Sequence, residues 1–164
     1  MPERSSRIRV WRGMGVLAVG LAASVVLAGT GSLTAARAGN EPTVEELKAR
    51  LSTTSIGDRP RVCVQIAEQQ LTAADKFYAA AEDDKAQAPL SDVVTYSELA
   101  RDYAIQAHKH EKQTEIAVRG MIRKLTEILH SLGQEDQRPV RDSINRLQHV
   151  RDDLFAAMFP KGAQ

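Results

Sequence analysis

The sequence predicts an all-α protein, and three observations carry that prediction. Beyond Thr43 no stretch alternates apolar and polar residues as a half-buried strand would. The strong helix formers Ala, Leu, Glu, Lys, Gln and Arg dominate, while aromatic residues make up only 4% of the chain. Apolar residues recur every 3.6 positions over long runs, the signature of helices with one buried face. The expected architecture is an elongated antiparallel helical bundle. Its three main helices lie at about 59–81, 86–132 and 138–158, after a short helix at about 44–51.

The chain opens on an export signal. Arg4, Arg7, Arg9 and Arg12 lead into an apolar run over residues 16–28, and Ala36-Arg37-Ala38 then supplies the small-x-small pattern that a signal peptidase cuts before Gly39. The run is too short for a comfortable membrane span, so cleavage is expected, with a retained N-terminal anchor as the alternative. Thr30 stands where a lipoprotein would need a Cys, and the basic run has no twin-arginine pair. The address is therefore periplasmic or extracellular, in an oxidising milieu.

Cleavage leaves residues 39–164, one domain's worth. The leader takes five arginines (Arg4, Arg7, Arg9, Arg12, Arg37) and only Glu3 with it, so the remainder is mildly acidic with its signs interspersed. Such a surface has no electrostatic footprint for nucleic acid. Cys63, the lone cysteine, has no internal partner, and it falls in the middle of an apolar helix face, as a small buried hydrophobe would.

Residues 39–57 form the short helix and a linker. Thr43-Val44-Glu45-Glu46 is a capping box, and Val44, Leu47 and Leu51 share one side. The bundle domain spans 58–160. Its first helix starts at Asp58, an N-cap candidate, with Pro60 tolerated in the first turn. Cys63, Ile66, Ala67, Ala74, Phe77, Tyr78 and Ala81 make its core stripe.

Glu82-Asp83-Asp84 marks a turn and suits the start of the next helix. There one stripe (Val93, Tyr96, Ala100, Tyr103, Ala104, Ala107, Thr114, Val118, Met121, Leu125, Ile128, Leu132) keeps its phase throughout, and Gly120 is the only Gly or Pro from about 91 to 132. A break would ordinarily reset that phase, so one helix of roughly 60 Å is expected, with a bend at 108–113 as the alternative. Gly133 ends it. The last helix opens near Arg138-Pro139 and carries Val140, Ile144, Leu147, Val150, Leu154 and Met158, with Phe155 on the flank. Phe159-Pro160 stops it, and 161–164 is a tail.

In a rod of this kind each level holds only two helices, which bury an apolar stripe poorly. Either the helices overlap as a three-helix bundle or a second copy supplies the missing wall, and a homodimer is expected. Ala74-x-x-Phe77-x-x-x-Ala81 followed by Ala86-x-x-x-Leu90-x-x-Val93 resembles a single tetratricopeptide-type helical hairpin, about 25 residues with no second repeat. The resemblance implies a hairpin held by small residues and the general role of an interaction module.

Catalytic signatures are missing: there is no phosphate loop, nucleophile elbow or haem motif. His108, Glu111 and Glu115, spaced i, i+3 and i+7, are the candidate metal ligands, and Glu111 falls inside the apolar stripe. The competing reading pairs Glu115 with Arg119 at i+4. Glu127 and His130 match a di-iron half-motif but lie opposite the stripe, facing water. The expected function is an exported non-enzymatic protein-interaction or structural module with no cofactor and a protein partner yet to be identified. A metal-binding or metal-sensing envelope bundle is the alternative.

Overall fold

The computed structural model describes residues 41–160. The expected leader, with its cleavage site at Ala36, Ala38 and Gly39, and the tail at 161–164 lie outside the described residues. Five helices follow one another, α1 (Val44–Thr53), α2 (Arg59–Ala79), α3 (Asp83–Ala107), α4 (Glu111–Ser131) and α5 (Gln137–Met158), with no strand among the described residues.

The capping box is present as read. Glu46 N–H donates to Thr43 Oγ1 at 3.3 Å, and Thr43 N–H donates back to Glu46 Oε2 at 2.8 Å. α1 runs antiparallel to α2, burying Leu47 against Val62 and Ile66. Asp58 sits at the N-cap of α2 with Pro60 in the first turn, but its carboxylate makes no cap bond. It accepts instead from Ser55 Oγ at 2.9 Å and from Lys109 Nζ at 3.0 Å.

α2 ends in a Schellman turn built without glycine. Ala81 takes the left-handed conformation (φ 55°), Glu82 N–H reaches back to Phe77 O at 2.9 Å, and Ala81 N–H to Tyr78 O at 3.1 Å. Ala81 is therefore an exposed turn residue and not part of the core stripe. Val62 and Leu71, which the stripe omitted, are buried.

The largest correction concerns the long helix expected over 86–132. It is two helices, broken at residues 108–110 and folded back. α3 closes with a second Schellman turn, in which His108 is left-handed (φ 49°) and Lys109 N–H donates to Ala104 O at 3.1 Å. His110 is left-handed as well (φ 66°) and precedes α4. The return is visible in the core. Ser97 of α3 and Met121 of α4, each eleven residues from the corner, meet with Oγ and Sδ 3.7 Å apart.

Four helices thus stand side by side in up-down-up-down order. α2 packs chiefly on α3 and α4 on α5, while α3 with α5 and α2 with α4 close the ring. Lys124 reaches Asp75 across the α2–α4 edge at 2.9 Å, and Arg101 reaches Asp153 across α3–α5 at 2.9 Å. The premise for a second copy, two helices per level, is thereby removed: the chain supplies four. The shared core includes Ala67, Ala74, Val93, Ala104, Val118, Leu125, Leu147 and Leu154, each inaccessible to solvent. Cys63 is buried too, and burial pushes its thiol up to about 12.

Candidate interaction site

The three expected metal ligands are not on one helix. His108 ends α3 in the left-handed conformation, whereas Glu111 and Glu115 belong to α4, so the i, i+3, i+7 spacing no longer describes a single face. His108 and Glu111 still meet, with Nδ1 and Oε1 3.8 Å apart, but the imidazole is 88% exposed. Glu115 turns to Arg119, its carboxylate 3.4 Å from the guanidinium, as the competing reading had it. Among the described residues no three His, Cys, Asp or Glu side chains gather as a metal-holding group. Glu127 and His130 are exposed.

Asp58 is a clasp between the two ends of the fold's first half. Hydrogen bonds from Lys109 and Ser55, and the Lys109 charge, hold its carboxyl down at about 2. A Cβ at Gly57 would stand 3.2 Å from Lys109 Cδ, so a larger residue there would make the lysine side chain shift slightly. His110 lies at the same corner, its Nε2 3.6 Å from Asp58 Oδ1. A second polar junction ties three helices, with Asp92 of α3 accepting from Gln70 of α2 at 2.6 Å and from Lys48 of α1 at 3.2 Å. Both junctions position helices.

The place where the molecule offers a surface is the seam between the start of α4 and the end of α5. The α5 stripe buries Leu154 completely, and Phe155, one step of 100° further round, is left 58% exposed. Phe159, one turn on, is 61% exposed, and the two rings pack with centroids 4.8 Å apart at a 44° tilt. With Ala156 they line a groove of about 930 Å³ whose rim carries Glu115, Arg119, Arg151 and Asp152. The rim charges are satisfied locally, Glu115 by Arg119 and Arg151 Nη2 by Asp152 at 2.8 Å. A ligand therefore meets an apolar wall framed by neutralised charge.

No protein-family model, curated protein or solved structure matches this chain.

A single exposed apolar side chain is ordinary, whereas two phenylalanines packed together beside a concave seam mark a surface that gains by being covered. The sequence holds a partial signal, an aromatic pair at i, i+4 off the core stripe of the last helix. It carried no sign of the concave wall itself, which Glu115 and Arg119 of α4 complete beside the rings. Among the described residues no helix is long and apolar enough to cross a membrane.

Proposed function

We propose that this is an exported, non-enzymatic helical protein that acts as a protein-interaction module through the groove of Phe155 and Phe159. The exposed aromatic pair is the observation that carries the reading. Filling the groove with an apolar side chain of a partner would remove two rings from water, worth about 25 cal/mol for each Å² covered. The paired rim charges suit a partner segment of mixed or neutral charge. The non-enzymatic part rests on the sequence, whose motifs supply no nucleophile, phosphate cradle or haem attachment. The metal-binding alternative would require Glu115 to leave Arg119 and swing to His108.

Export makes a direct prediction: the protein recovered from outside the cytoplasm starts at Gly39, read by N-terminal sequencing or intact mass. A product that keeps residues 1–38 would establish an anchor in place of a leader. The groove makes another. Phe155→Ser with Phe159→Ser is expected to abolish in-cell crosslinking to an identified partner while shifting stability by no more than about 1 kcal/mol, since both rings are already largely in water. Unchanged capture of that partner by the double variant would move the interaction site elsewhere.

A further inference from the structure

We infer that the bundle exchanges its α4–α5 hairpin between two copies of this chain, by straightening residues 108–110 so that α3 and α4 become one helix. This exchange is independent of the groove and of export.

Two observations point to it. The corner is strained: His108 and His110 hold left-handed backbone at φ 49° and 66° without being glycine. A left-handed non-glycine residue is costly, and short strained connections favour hairpin exchange. In a straight helix both residues return to ordinary φ, and the last carbonyls of α3 gain the first N–H groups of α4 as partners.

The second observation is the phase of the stripe. Counted at 100° per residue straight through the corner, Ala100, Ala104, Thr114, Val118, Met121 and Leu125 fall within an arc of about 100°. Every one of them is buried in the closed bundle. The closed form does not require this, because folding back lets α3 and α4 face the core from any relative phase. A straightened helix over residues 83–131 does require it. Two such helices, antiparallel about a two-fold axis at the corner, present one unbroken seam to each other. α3 of one copy then faces α4 of the other with the same Ser97–Met121 contact. All core contacts are kept, made between copies in place of within one.

What holds the closed form is the clasp, Lys109 on Asp58 at 3.0 Å with Ser55 behind it at 2.9 Å. Straightening carries Lys109 away from Asp58. The balance between the two forms is therefore set by the clasp on one side and by the two left-handed residues on the other.

The test measures the association constant by sedimentation equilibrium after refolding at high protein concentration. Asp58→Ala is expected to raise it several-fold by releasing the clasp. His108→Gly with His110→Gly is expected to lower it by at least tenfold, because glycine accepts the corner without strain. Connectivity is read with Asp75→Cys and Lys124→Cys in a Cys63→Ala background, the two native side chains meeting at 2.9 Å across α2 and α4. Joined by a short bis-maleimide, the dimer fraction should run as a covalent dimer on a denaturing gel. Crosslinks confined within single chains of that fraction, or absence of a dimer in both wild type and Asp58→Ala with helicity intact, would overturn the exchange.

Discussion

Leu125→Ala is expected to destabilise the protein by about 2–5 kcal/mol, read as a lower urea midpoint at unchanged slope. Leu125 lies in α4, is fully inaccessible, and belongs to the cluster that includes Val118, Ile128, Leu147 and Leu154. This side of the bundle is filled by large branched side chains, and removing three carbons leaves a hole that rigid helices close only in part. The size of the loss is informative. A value near the upper end shows that α4 and α5 are fixed by the rest of the ring, whereas a loss under about 1 kcal/mol would mean that the hairpin collapses into the space and that the core is poorly specified.

The opposite change is expected to fail on the opposite side. Ala100→Leu should cost roughly 1–3 kcal/mol, although it adds apolar surface to a core. α2 and α3 pack on each other, and they carry the small buried residues Ala67, Ala74, Ala86, Ala100 and Ala104, all at 0% exposure. Small side chains let helices approach closely, and a leucine at the fully buried position 100 must push a packed neighbour away or take a strained rotamer. Thermal unfolding of the purified variant checks this. A gain in stability would show that the core around Ala100 holds unfilled space. The two substitutions together separate the two halves of the ring, one filled by volume and the other by proximity.

Much of the fold was legible because its signals are local. The Thr43–Glu46 box, Pro60 in the first turn of α2, and the stripe of α5 each follow from residues within one or two turns of each other. The corner at 108–110 was legible only as the alternative bend at 108–113, for a physical reason. Helices are expected to break at glycine or proline, or where the stripe loses phase, and here the stripe runs on while histidines take the left-handed positions. The thinning of the stripe over 108–113 was the one sign of it. That single error produced the rod, the missing third layer and the metal-ligand spacing, all of which presume a helix through His108. Asp58 was read from its type as a helix cap and serves a contact fifty-one residues away, which no local rule can supply. Likewise Phe155 was visible as a flank residue, but the groove that gives it meaning is completed by Glu115 and Arg119 of the neighbouring helix, whose side chains no local pattern ties to it.

The alternation of the helices, each running back along the one before it, also bears on how the chain finds its structure. The turns between helices are only a few residues long, so closing each hairpin carries little entropic cost before contacts begin to form. Folds dominated by such near-sequence encounters assemble in microseconds to milliseconds. The single buried thiol imposes no slow oxidation step. Exported as proposed, in extended form, the chain would thus become compact soon after emerging.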